Sequence, residues 1–115
     1  AMEIKTQDYT VNYDAENATV TCKGSFMLSG TEEYAPILEL LTSAAVQQEE
    51  KLSLDLRELE FLNSSGINTL TKFVIFVRKK QSLQLTVQGH DSVPWQVRLL
   101  KNLQRLLPQL EMQLD

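Results

Sequence analysis

Two adjacent hydroxyls, Ser64 and Ser65, stand between Asn63 and Gly66 where a strand pattern gives way to a helical one. The opening turn of a helix has N–H groups without intrahelical partners and the positive end of the helix dipole. It suits a capping side chain, and it equally suits a phosphate or a partner's acidic group. Asn63 or Ser64 can serve as the cap, and a capping hydroxyl at a helix start is also exposed. A phosphate added there brings about −1.5 to −2 charges to backbone donors able to receive them. Glu58 and Glu60, close by in sequence, would oppose that charge, so the turn reads as a switchable surface. Gly66 costs helix propensity inside a first turn. Either it packs closely against a strand, or it keeps the serine turn open to a partner's backbone.

The other reactive side chains are poorly placed for chemistry. His90 beside Asp91 resembles an acid–base pair but lacks a nucleophile with a defined partner, and Ser92 has no better claim. Glu32 and Glu33 fall in a first helical turn, where carboxylates are favourable. Cys22 alternates with Ala18 and Val20 along a strand, so a buried thiol is expected. One cysteine and one distant histidine do not make a zinc site, and no metal is expected. Phosphate-loop, dinucleotide and metalloprotease motifs are absent, and no cofactor is expected. Trp95 is read as covering a core edge.

The elements that position Ser64 follow from periodicity. Tyr9, Val11 and Tyr13 alternate with polar residues, as do Ala18, Val20 and Cys22, and Asp14 to Asn17 is a turn. This predicts an antiparallel hairpin whose second strand ends at Gly24, followed by a loop from Ser25 to Gly30. Tyr34, Ile37, Leu38, Leu41 and Ala45 share a helical face. Pro36 fits near a helix start, so Thr31 to Tyr34 is expected as a turn and the helix from about Pro36. A polar linker, Gln47 to Glu50, leads to a strand from Lys51 to Leu56. The serine turn follows, then a helix from about Ser65 to Lys79. Leu83, Leu85 and Val87 form a strand closed by Gly89. Asp91 or Ser92 caps a third helix with Val93, Val97, Leu100, Leu103 and Leu107 on one side. Pro108 ends it, and Leu110, Met112 and Leu114 alternate as a final strand.

The helix after Ser64 has more apolar surface than one core face needs. Ile67, Leu70, Val74 and Val77 form the inward stripe, with Phe73 flanking it. Ile75 and Phe76 fall progressively off it. The helix is either wedged between two layers or carries an association patch.

Composition bounds the rest. The 115 residues suit one domain, 43% apolar and 23% charged, which is a globular composition. A formal charge of −4 argues against binding driven by neutralising nucleic-acid phosphates. No run reaches membrane-span length, and no secretory signal pattern is present, so a cytoplasmic protein without membrane insertion is expected.

The strand, Asn63-Ser64-Ser65-Gly66 and the helix after it resemble the STAS domain, named for sulfate transporters and anti-sigma-factor antagonists. The resemblance covers nearly the whole chain: the initial hairpin, Gly24, the order of helices and strands, and the Val93 to Leu103 helix. Its sharp part runs from Leu54-Asp55-Leu56 through the pair Phe61-Leu62 to Gly66 and Ile67. It implies an α/β single domain over residues 1–115, a mixed β-sheet with an N-terminal hairpin and packed helices.

In bacterial antagonists of this family the first serine of the motif is phosphorylated by a serine kinase that is also an anti-sigma factor. A PP2C-type phosphatase reverses it. The unmodified domain binds the kinase; the phosphorylated one releases it. Carried over, the resemblance makes Ser64 the phosphorylated residue, with Ser65 the alternative. The partner surface expected is Asn63, Ser64, Ser65, Gly66, Asn68, Ser25, Phe26 and Phe76. It would belong to a non-enzymatic signalling module, with self-association as a further option. Two departures stand out. Asn63 replaces the family's acid, and the residues after Leu114 leave little room for a terminal helix seen in some relatives. The alternative reading is an accessory domain of a transport system or a small ligand- or lipid-binding module.

Overall fold

The computed structural model describes residues 2–115. Its strands are β1 (Glu3–Lys5), β2 (Tyr9–Asp14), β3 (Thr19–Phe26), β4 (Lys51–Leu62), β5 (Gln84–Gly89) and β6 (Glu111–Leu114). Its helices are α1 (Gly30–Gln47), α2 (Ser64–Lys80) and α3 (Pro94–Leu106). They build one six-stranded sheet in the sequential order β1-β2-β3-β4-β5-β6. The first two pairings are antiparallel and the remaining three parallel. The fold is therefore a mixed α/β sheet with an N-terminal hairpin, as expected, with β1 as an edge strand that the periodicity did not reveal.

Strand order decides where the helices lie. Each parallel pair is joined through a helix, and such crossovers are right-handed. Since the order never reverses, α1, α2 and α3 all fall on one face. The core agrees: Val11, Val20, Cys22, Leu54 and Val87 pack with Ile37, Phe73 and Leu100 in one buried cluster. The alternate positions, among them Thr10, Thr21, Asp55 and Thr86, form an open polar face. A sequential order also lacks the reversal point at which doubly wound sheets open a ligand crevice.

Several boundaries differ from the periodicity reading, for local reasons. Gly24 does not end its strand. It has φ +93°, and an added Cβ would collide with Asp8 O, so it marks an irregularity after which β3 continues to Phe26. Ala18 precedes β3 in the turn, at φ +50°. β4 runs on to Leu62, with register shifts against β3 on either side of Lys23–Gly24. These shifts let Leu56, Leu59 and Leu62 all face the core at a spacing of three, which does not read as a strand. α1 starts at Gly30, six residues before Pro36, and the proline sits inside the helix. The missing proline N–H is tolerated there because the helix is anchored at both ends by buried Tyr34, Ile37, Leu41 and Ala45. α3 is capped at Val93, with Pro94 at the first helical position. Gln96 takes the buried place given to Val97. Its amide donates to Leu56 O and Leu59 O at 2.9 and 3.1 Å, meeting carbonyls that the irregular part of β4 leaves without a β5 partner.

Candidate functional site

The turn at Ser64 is held by a ring of hydrogen bonds. Asn63 is the N-cap of α2: its Oδ1 accepts from the Gly66 N–H at 3.0 Å. The same oxygen accepts from the Tyr34 hydroxyl at 2.7 Å, and Nδ2 donates to Leu28 O at 2.7 Å. The ring closes through the Leu28 N–H, which donates to the Tyr34 hydroxyl at 3.3 Å. Burial raises the pKa of that hydroxyl, so it stays protonated and can donate to Asn63. A third tie joins the same loop to α2, since the Gly30 N–H donates to Ser65 Oγ at 3.1 Å.

The two serines therefore differ. Ser65 is half-buried and its hydroxyl already accepts a bond. Ser64 is exposed, and among the described residues its hydroxyl joins no side-chain hydrogen bond. Among the described residues, no histidine or carboxylate is hydrogen-bonded to either hydroxyl. Gly66 is buried, and an added Cβ would collide with Leu62 Cδ1 and lie 2.9 Å from the Tyr34 hydroxyl. Close packing is thus the reason for this glycine.

Around this turn the expected surface divides. Asn68 is exposed one turn beyond Ser64, and Ser25 is half-buried at the end of β3. Phe26 is a correction. It is 1% exposed, its ring packs edge-on against Tyr9 and Tyr34, and so it belongs to the core. The reason is that β3 continues through it, turning its side chain inward. Its contribution to the turn is its carbonyl, which accepts from the Asn63 N–H at 3.1 Å. Phe76 lies three turns down α2, about 18 Å along the axis, beside Thr42, Ser43, Val46 and Gln47 of α1. It is half-buried and separate from the serine turn. Glu58 is also displaced: it pairs with Lys23 at 3.6 Å and lines a depression of the open sheet face.

An apolar groove borders the turn. Phe61 and Ile67, 48% and 43% exposed, line it with Leu62, Trp95 and Leu99, and Glu60, Arg98 and Asn102 stand at its polar margin. Its volume is about 350 Å³ and it is open to solvent. Sequence periodicity put Ile67 on the inward stripe; instead Phe73 is fully buried and Ile67 faces the groove. Residues 64 and 67 are helical neighbours, so Ser64 stands at the groove's edge.

No family model matches the sequence, and no curated protein does. Solved structures do. A chain from the complex of diguanylate cyclase SiaD with its activator SiaC, from Pseudomonas aeruginosa, matches with a TM-score of 0.75 at 14% identity over 100% of both chains. SiaC of Pseudomonas aeruginosa matches with a TM-score of 0.72 at 13% identity, over 100% of this chain and 98% of that one. Apo-SiaC from the same organism matches with a TM-score of 0.71 at 12% identity, over 98% and 99%. The fold is STAS-like. At these identities the likeness is one of architecture, and it agrees with the resemblance carried by Asn63 to Gly66 and the order of elements. Among the described residues no helix is long and apolar enough to cross a membrane.

Among the features periodicity did not reveal are the Asn63–Tyr34–Leu28 ring and the groove. Tyr34 was legible only as a core residue. Phe61 lay next to the motif, but only the irregularities of β4 turn it outward.

Proposed function

We propose that this STAS-like domain is a non-enzymatic signalling module that binds a regulatory protein and is switched by phosphorylation of Ser64. The observation that carries the reading is the contrast at the turn: an exposed, unengaged Ser64 hydroxyl on a rigidly capped helix start, beside a Ser65 hydroxyl already in use. The first N–H groups of α2 and its dipole favour the added phosphate, which then changes the charge of the surface a partner meets. The partner is a signalling protein: an anti-sigma factor and serine kinase by the family resemblance, or an enzyme activated by the domain, as SiaC activates SiaD. A PP2C-type phosphatase would return the domain to its binding state. The apolar groove beside the turn is open to solvent, which favours a protein partner over an enclosed small ligand.

The test is phosphorylation by cell extract of the source with ATP, mapped by mass spectrometry. Phosphate on Ser64, lost in Ser64→Ala and retained in Ser65→Ala, is the expected outcome. Ser64→Asp should keep its melting temperature and bind the partner at least about tenfold more weakly, the loss of roughly 1.4 kcal/mol. A partner affinity unchanged by Ser64→Asp, or phosphate confined to another residue, would refute the switch.

A further inference from the structure

The distribution of charge sets α2 and α3 apart. α2 carries Lys72, Arg78, Lys79 and Lys80, and α3 carries Arg98, Lys101 and Arg105. Neither helix contains an aspartate or glutamate, so the rest of the chain holds all 15 acidic residues. A chain of net charge −4 thus concentrates its positive charge on one neighbouring helix pair. The two helices adjoin, with the Arg78 guanidinium donating to Leu106 O at 3.2 Å. The groove of Phe61, Ile67, Trp95 and Leu99 opens at the other end of this pair. Two of the four exposed large apolar residues among the described ones, Phe61 and Ile67, converge there. Arg98 lines the groove, and Lys101 and Arg105, also exposed, follow it along α3 beyond the groove.

We propose that this groove docks an acidic amphipathic helix of the protein partner. An apolar stripe enters between Phe61, Ile67 and Trp95, and carboxylates along its flank meet Arg98 and Lys101. Nucleic acid fits less well, because the concave surface is apolar where a phosphate backbone would need a cationic one. An anionic membrane fits less well because the apolar residues line a recess instead of projecting from a flat face. The inference rests on the protein-binding reading and deepens it, since Ser64 stands at the groove's edge. A phosphate there adds negative charge at the margin of the groove and repels an acidic partner.

Trp95 is the only tryptophan, so its fluorescence reports on the groove directly. The probe is a synthetic helical peptide of roughly 18 residues with a leucine stripe flanked by glutamates. Its counterparts are the same peptide with lysines, phosphatidylcholine–phosphatidylglycerol vesicles and a duplex DNA oligomer. Each is titrated into the full chain. Saturable binding of the acidic peptide with a shift of Trp95 emission is expected. Arg98→Glu with Lys101→Glu weakens it by at least about tenfold. Ile67→Asp abolishes it, and each variant melts like the parent. Equal binding of the lysine peptide, preference for vesicles or DNA, or indifference to Ile67→Asp overturns the docking site. The two readings fail separately. If the acidic peptide does not bind while Ser64→Asp still weakens partner binding, the groove alone falls. If the acidic peptide binds while Ser64→Asp leaves the partner's affinity unchanged, the switch alone falls.

Discussion

Asn63 stands where the family resemblance puts an acid, and its neighbours explain the amide. Oδ1 accepts two bonds while Nδ2 donates to Leu28 O. An aspartate could reproduce the first half of this arrangement. Its second oxygen would face the Leu28 carbonyl, acceptor against acceptor. Asn63→Asp is expected to lower stability by about 1–3 kcal/mol in denaturant melts, in spite of the favourable charge at a helix start. Tyr34→Phe breaks the same ring, so the double variant should lose less than the sum of the two. At Cys22, burial foremost, and the charge of Asp55 after it, push the thiol's pKa up to about 12. The native protein should therefore resist alkylation by iodoacetamide at neutral pH and react on unfolding. Rapid native labelling would contradict the burial.

The elements are shaped by irregularities as much as by repeats. Register shifts in β4 place Leu56, Leu59 and Leu62 in the core and leave Phe61 outside. Along α2, the buried large apolar side chains are Leu70, Phe73, Val74 and Val77. That stripe keeps Leu70, Val74 and Val77 of the expected one and takes Phe73 in place of Ile67. Phe73→Ala should thus cost ~3–5 kcal/mol, the range for a fully buried phenylalanine. Phe76→Ala should cost distinctly less, because Phe76 only packs against the core from a half-exposed position. Equilibrium urea unfolding of the two variants separates these outcomes; comparable losses would mean that α2 is wedged more deeply than its exposure indicates.

Across the whole molecule, the open sheet face holds its own charged cluster. Asp55, 9% exposed, receives the Arg57 guanidinium at 2.9 Å, and the other arm of that guanidinium reaches Asp115 at 3.0 Å. Burial raises the Asp55 pKa, but hydrogen bonds from the Arg57 side chain and backbone, together with its charge, lower it by more. A folded carboxyl held below its unfolded value stabilises the fold above the ordinary carboxylate range. That stability is lost as the pH falls through the lowered folded value. Melting temperature should therefore decline as the pH falls below the ordinary carboxylate range, and Asp55→Asn should flatten part of that decline. An unchanged acid limb in Asp55→Asn would assign the acid sensitivity to other carboxylates. The cluster lies on the opposite side of the sheet from α2 and α3, so this titration leaves the groove's charge alone.

The order of elements from β2 onward, the hairpin of β2 and β3, the capped start of α2 and the exposure of Ser64 were legible from residue types, because each depends on local periodicity or on a helix end. The acid-free character of α2 and α3 is likewise written in the chain. Other features needed the folded structure. Phe26 enters the core only because Gly24 lets β3 continue past an irregularity whose backbone a substituted residue would resist. Gly66 is required only because Leu62 and Tyr34 close in on it from distant segments. The groove exists because a sequential strand order lays α2 beside α3 on a single face, while shifts in β4 turn Phe61 toward it. Periodicity measures which side of its own element a residue occupies. What stands opposite that side is set by strand order and register, and these are properties of the tertiary structure.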